Sequence, residues 1–588
     1  MKNVKKLAAL SLSLVMLFSS LAGCGDGKGK ESTASKAEES KVSSKVEESK
    51  SEVSTSKTEE TSSGDDLAFK KFDEPVDVHI GMSVSPIDTT LPAGDSAQDN
   101  QYTRYLRDNY NINVIVDWTA AEGNDYNQKV SLAIASDTLP DGLVANEQSY
   151  LRKAAKSNML MDITDLFDQY ASEQVKGIVD STDGRAIESV SFDGKMQGLP
   201  NVTVDTDGVH ILNIRKDWLD EYSLEVPKTL DDVENIAKVF KEKKPAGDQT
   251  IPLSGPDKNE RLYCTFLESS NNAHGLDPVF SAYDVYPGYW LQDDKGEVVY
   301  GSTDEKMKPA LERLAKWYAE GYIDPEMGTR DSSGEAVNAN QVGMFFGPWW
   351  SLGYGNGDSF KNDPTANWQT YPIFSDDGKW NVHMKSVGTS STMISKNASE
   401  DVAAAIIIMY NALVRDEGVF DTSVAIGWYP LRTVAAAADE VEHESQELTR
   451  VLNGEADPEE FNDPMSIYKL LYQDATKVRN VVTGYTKDRE LAVTDFSMEN
   501  EGDFKRMYAI LIGNRPYATT EVDKKVYSLT YSMTETMERK WANLKKLEDE
   551  TMLKIITGQE DISAFDTFVS NWHAQGGDEI LAEVAGLN

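Results

Sequence analysis

The feature that most constrains this chain is an alternation of two hydrophobic periods that begins near residue 76. Val76-Asp77-Val78-His79-Ile80-Gly81-Met82 changes character along its length as a strand with one buried face does. A helical stretch follows around Tyr102 to Tyr110, then a β-branched run from Ile112 to Trp118, then a helix over Asn124 to Ser136. Asp141-Gly142-Leu143-Val144-Ala145 is a short apolar run suited to a buried parallel strand, and the next helix carries Tyr150 and Leu151. Strands and helices alternating at this pace build βαβ units, so the folded body opens as an α/β lobe.

Later helices are punctuated clearly. Thr229 precedes the stripe Leu230, Val233, Ile236, Ala237 and Phe240, with Asp232 three residues after the cap. A second stripe, Met307 to Tyr318, stops at Gly321, and a third opens at Ser399 and runs to Leu413. These are core faces without chemistry of their own. A length of 588 residues exceeds one compact core and implies two or more lobes.

Ahead of this body lie two segments of different character. Lys2, Lys5 and Lys6 precede an apolar run from Leu7 to Leu21, too short for a comfortable span and read as a secretory signal. It ends in Leu21-Ala22-Gly23-Cys24, which resembles a bacterial lipobox and implies that Cys24 is lipidated and becomes the mature terminus; the alternative is a plain signal peptide with an incidental Cys. From Gly25 to about Phe72 the composition collapses to Ser, Lys, Glu and Thr, too poor in large apolar residues to order itself. Residues 1–23 are therefore expected to be a signal peptide and 24–73 a disordered tether, which holds the body off the membrane.

Charge and motif content exclude several functions. With 58 Lys+Arg against 98 Asp+Glu the net charge is −40, which repels nucleic acid. Two cysteines cannot form a disulfide framework, and the six histidines show no pair at zinc-site spacing, so neither metal nor cofactor is expected. No P-loop, H-E-x-x-H or G-x-S-x-G is present. Thr203 to Gly208 resembles the start of an EF-hand loop, but Thr203 at its first position and Ile214 at its twelfth argue against calcium.

Four segments together resemble the extracellular solute-binding proteins of carbohydrate ABC transporters, in the large lipoprotein group of the family-1 type. They are Leu139-Pro140-Asp141-Gly142-Leu143-Val144 with Met159 to Leu166; Gly198-Leu199-Pro200 with Ile214 to Leu219 and Val226 to Asp232; Trp317 to Pro325 with Gly343 to Trp350; and Ile556 to Ile580. The resemblance implies a type II periplasmic-binding-protein-like fold, α/β, with two lobes joined by crossover hinge strands. Lobe 1 would take 74–202 and return over 387–450. Lobe 2 would take 203–386, with the helices of 451–588 mainly on it. The crossovers are expected near Thr203 to Val209 and His383 to Gly388. Hinge closure on a sugar and delivery to permease subunits would then be the function, with the protein monomeric and held by Cys24 at the outer face of a cytoplasmic membrane, in a Gram-positive cell.

A sugar offers flat C–H faces and hydroxyls, so aromatic platforms and short polar groups are sought. Gly347-Pro348-Trp349 matches a Gly-Pro-Trp stretch that carries a sugar-stacking Trp in maltose-binding protein. Adjacent extended residues point opposite ways, so one of Trp349 and Trp350 should face ligand and the other the core. Asn146 and Glu147 follow a strand end where open α/β sheets bind ligands, or they cap a helix. Trp118, Trp428 and Asp257 are weaker candidates, and Asp257 could equally cap a turn. Trp218, Trp317, Trp541 and Trp572 are expected to pack, and Arg215 and Asp217 to brace a strand-to-helix corner. Competing readings are a surface glycoside hydrolase, an adhesin, or a binding protein for a cargo such as a peptide.

Overall fold

The computed structural model describes residues 67–270 and 272–587. The expected signal peptide, Cys24 and most of the tether lie outside them. The tether does end earlier than expected. Ala68 and Phe72 are buried, Phe72 N–H donates to Tyr110 O, and Asn411 Nδ2 donates to Ala68 O. Leu67, Phe69 and Phe72 restore large apolar residues after the Ser/Lys/Glu stretch, so ordering there is offset by burial.

The strands used below are β1 (Val76–Val84), β2 (Ile112–Ala121), β3 (Gly142–Ala145), β4 (Gly198–Pro200), β5 (Ile211–Arg215), β6 (Ile251–Leu253), β7 (Val342–Gly347), β8 (Trp368–Tyr371), β9 (Asn381–His383), β10 (Ser391–Ile394) and β11 (Lys524–Val526). The first lobe holds a sheet of order β2-β1-β3-β10-β4. Its first three strands are parallel, and β10 runs antiparallel to both neighbours. Helices Gln101–Tyr110, Asn124–Ala135, Gln148–Lys156 and Glu400–Asp416 cover it. The last of these is buried almost all round, as a helix through the middle of a core must be.

The second lobe holds a sheet of order β8-β5-β7-β6. Its residues alternate between two cores. Leu212, Ile214, Leu253, Met344 and Phe346 pack with helices Leu230–Lys243, Met307–Ala319 and Glu535–Ile556. Ile251, Val342, Phe345 and Trp368 pack on the other face, with helices Leu471–Val481 and Glu501–Tyr508. The Thr229 cap closes as the sequence implies, with its hydroxyl accepting from Asp232 N–H and Asp232 accepting in return from Thr229 N–H.

Three strands, not two, cross between the lobes. Val202 N–H donates to Val434 O and Ala436 N–H to Val202 O, while Thr203 N–H donates to Val387 O and Asp205 N–H to Ala438 O. The segment around 434–438 is therefore a third crossing. Helix Glu440–Asn453 already puts Val441, Leu448 and Val451 into the second lobe's core, because its apolar stripe matches the outer face of that sheet.

Candidate functional site

Strand polarity decides which residues face one another between the lobes. β3 and β4 are parallel, both being antiparallel to β10, so the carboxyl end of β3 lies at the edge where β4 runs into the crossing. In the second lobe β5 leaves the crossing, β7 runs back antiparallel to it, and β6 is parallel to β7. The carboxyl ends of β6 and β7 therefore return to the crossing. Asn146-Glu147 on one side and Ser254 to Asp257 and Trp349-Trp350 on the other thus flank the three crossing strands, where open α/β sheets bind ligands.

The Trp pair does not behave as extended neighbours. After Pro348 the chain coils into a 3-10 turn, Trp349–Leu352, so the two indoles no longer point opposite ways. Both are buried, 4% and 8% exposed. Both reach the same residue of the crossing: Trp349 Nε1 donates to Asp207 Oδ1 at 3.1 Å, and Trp350 Nε1 to Asp207 O at 3.0 Å. The turn is held from behind by Gly513, where an added Cβ would sit 2.0 Å from Trp349 O. The two indoles thus converge on one residue of the crossing and do not diverge as extended neighbours would.

Charged groups crowd the crossing itself. Burial raises the Asp207 carboxyl, an effect that nearby Lys385 opposes. Burial in turn lowers the Lys385 ammonium, which donates to Thr203 Oγ1 and to Ser386 O. Arg185 donates to Asp205 Oδ2 at 2.7 Å and lies 4.4 Å from the Tyr527 ring centroid. Asp205, Asp207 and Lys385 lie in stretches the sequence marks, an EF-hand-like run and an expected crossover, but their pairing with Arg185 and Tyr527 is visible only where the crossing strands meet.

The first-lobe candidates are more open. Asn146 is half-buried and Glu147 exposed. Glu147 occupies the cap position of Gln148–Lys156 without a side-chain cap bond, and accepts instead from Asn127 Nδ2 at 3.2 Å. Helix capping is thus not its role. Trp118 lies flat over Gly81, where a Cβ would stand 2.2 Å from the indole, and packs 5.7 Å from Tyr126. Trp428 leans on the first-lobe core with Nε1 buried and unpartnered. Asp257 is buried and caps a turn, its Oδ1 accepting from Asn259 N–H at 2.7 Å and its Oδ2 from Ser333 N–H at 3.3 Å.

Two further groups belong to this region. Arg152, on Gln148–Lys156, has Nη1 buried without a partner, and burial lowers its pKa. Lys153 beside it forms a 2.7 Å ion pair with Glu538 of the second lobe. Away from the crossing, Trp218, Trp317, Trp541 and Trp572 are packing residues of the second-lobe core. Arg215 is buried, chelates Asp217 at 2.6 to 3.2 Å and stacks 4.9 Å from Trp218, which braces the corner after β5. The histidines, widely spaced along the chain, are not all apart in space: His210 and His383 lie 5.7 Å apart, centroid to centroid.

Comparison with known proteins adds the following. The family described as bacterial extracellular solute-binding protein matches residues 101–449. The chain is 25% identical over 276 residues to the fructooligosaccharide ABC transporter substrate-binding protein FusA of Streptococcus pneumoniae, covering 44% of this chain and 47% of that protein. The chain thus spans about half the length of that relative. It is 22% identical over 485 residues to lipoprotein LipO of Bacillus subtilis, covering 79% and 84%. In structure it resembles an extracellular solute-binding protein from Bifidobacterium longum subsp. infantis, with a TM-score of 0.55 at 16% identity, covering 88% of this chain and 98% of that one.

Proposed function

The chain belongs to the bacterial extracellular solute-binding proteins, and from that premise we propose that it is the substrate-binding component of an ABC importer, capturing an oligosaccharide between its lobes. The observation that carries this reading is the strand polarity: two α/β sheets turn the carboxyl ends of β3, β6 and β7 toward one crossing. Hinge motion about three strands needs few backbone changes and closes both walls on one ligand. FusA supports a sugar as cargo by its name, and the aromatic and short polar residues near the crossing suit one.

In this reading Asn146, Glu147, Trp118 and Arg152 supply the first-lobe wall. Trp349 and Trp350 form the floor through Asp207, with one indole edge meeting the sugar. Asp257 and Trp428 shape the walls from behind. The protein binds and releases without breaking bonds. It acts as a monomer, tethered through lipidated Cys24 to the outer face of a Gram-positive membrane. Domain limits follow the crossings: a first lobe of about 68–202 and 387–435, and a second lobe of about 203–386 and 436–587.

A thermal-shift screen of purified protein against an oligosaccharide panel, fructo-oligosaccharides included, tests the cargo. A hit should then contract the protein in small-angle scattering. No stabilisation by any saccharide, or release of reducing ends from one, would overturn the proposal in favour of another cargo or of a hydrolase.

A further inference from the structure

Four side chains from separate segments converge where the crossing strands enter the second lobe. His210 stands one residue before β5 and His383 ends β9, while Cys264 and Asp277 come from the stretch after β6. All four are buried, and one potential ligand atom of each lies within 4.8 Å of the others. Asp277 Oδ2 is 3.3 Å from His210 Nδ1, Asp277 Oδ1 is 3.6 Å from His383 Nδ1, and Cys264 Sγ is 3.9 Å from His210 Nδ1.

The far sides of the two rings decide what the near sides present. His383 Nε2 meets Gly208 O at 2.8 Å, and His210 Nε2 meets Asn272 O. A carbonyl only accepts, so both Nε2 atoms carry hydrogen, and on a neutral ring Nδ1 is left as a lone pair. Two nitrogen lone pairs, a carboxylate and a thiol thus point at one another in a dry interior. Asp277 Oδ2 accepts no hydrogen bond there, although Oδ1 takes the Cys264 N–H at 2.8 Å. The one donor among them is the weak Cys264 S–H, 3.9 Å from both His210 Nδ1 and Gly208 O, so three acceptors share at most one weak hydrogen bond, an arrangement that a cation among them would relieve.

We propose that His210, Cys264, Asp277 and His383 form a buried tetrahedral site for a divalent transition metal of the zinc class. Donors 2.0–2.3 Å from a common tetrahedral centre stand about 3.3–3.8 Å apart; the 3.3, 3.6 and 3.9 Å contacts lie at or near that range, and no pair exceeds 4.8 Å, so small side-chain shifts close the shell. Histidines that ligate through one nitrogen and donate the other N–H to a backbone carbonyl are the usual outer arrangement of such sites. Two imidazoles, a sulfur and a carboxylate select zinc over calcium or magnesium, and four protein ligands leave no open position for chemistry. On binding, the metal–sulfur bond forms and the Cys264 proton leaves to solvent. The metal would join the roots of two crossing strands to the loop that carries Asp257, so it fixes the hinge base.

The test uses untagged, full-length protein, stripped with a chelator and reloaded with Zn2+ or Co2+. One tightly held equivalent is expected, with a raised Tm. Cobalt should give intense tetrahedral d–d bands and a thiolate-to-metal charge-transfer band in the near ultraviolet. Cys264→Ser should remove the charge-transfer band and keep the stoichiometry, whereas His383→Ala should lose the metal. If wild-type protein retains less than a tenth of an equivalent after dialysis and cobalt shows only weak octahedral bands, the site does not exist. Should the variants fail to fold, the wild-type cobalt spectrum alone decides. Saccharide affinity plays no part in these readouts, so failure here leaves the transport reading untouched.

Discussion

Replacing Glu442 with Gln should make the protein more stable at alkaline pH. Glu442 lies on the helix that follows the third crossing, with Oε2 buried and unpartnered. Burial pushes its carboxyl up to about 7; Lys525 opposes the shift, and Asp205 and Asp439 add to it. In an unfolded chain the group titrates near 4.3, and the interval between the two values corresponds to about 3.5 kcal/mol. The folded state holds the proton more tightly, so this contribution to stability is complete below about pH 4 and is lost as pH rises through about 7. Solvent reaches part of the side chain, so we take roughly 1.5–3 kcal/mol for the loss. The amide of E442Q does not ionise, and the variant should match wild type at pH 4 and exceed it at pH 8 by that amount. If both lobes unfold together the Tm difference is about 1.5–3 °C, more if one lobe melts alone. Calorimetry at intervals from pH 4 to pH 8 reads it. A difference that does not grow with pH, or an E442Q protein less stable at pH 8, would refute the argument.

Three other outcomes follow from the interlobe region. Trp349→Phe should lower stability by about 1–2 kcal/mol through the lost Asp207 bond, and Trp349→Ala by about 3–5 kcal/mol through a cavity as well; an unchanged Tm in Trp349→Phe would deny the hydrogen bond its role. Lys153→Glu removes the ion pair to Glu538 and sets two acids against each other, so it should enlarge the scattering radius while changing stability by no more than about 1 kcal/mol. Arg152→Met takes away a half-buried guanidinium whose Nη1 has no partner, so the free protein should melt higher by roughly 1–3 kcal/mol while saccharide affinity falls; calorimetry with a confirmed ligand checks both signs.

Much of the architecture could be read from local signals. The capped stripe at Thr229, the stop at Gly321 and the strands from Val76 and Ile112 rest on near-neighbour physics, and they appear where that physics puts them. What sequence could not supply depends on distant segments meeting. β10 enters between β3 and β4 with no local mark of its place, and the third crossing is a short stretch, 434–438, defined only by its partners. The convergence of Trp349 and Trp350 on Asp207 rests on the tight turn after Pro348, which the pattern of an extended stretch does not contain. His210 and His383 carry no motif, since their proximity arises from two crossing strands entering one lobe side by side.

The position of β10 also sets an order of events during synthesis. Without Ser391–Ile394, β4 has no neighbour in the first sheet, and the helix that fills that lobe's core, Glu400–Asp416, comes later still. The second lobe needs Glu535–Ile556 before one of its faces is covered. A chain emerging from its amino terminus therefore completes neither lobe until about two thirds of its 588 residues have been made. Contacts this distant in sequence form slowly. For a member of an extracellular family, such a delay would keep the nascent polypeptide threadable, a state that export through a narrow channel requires.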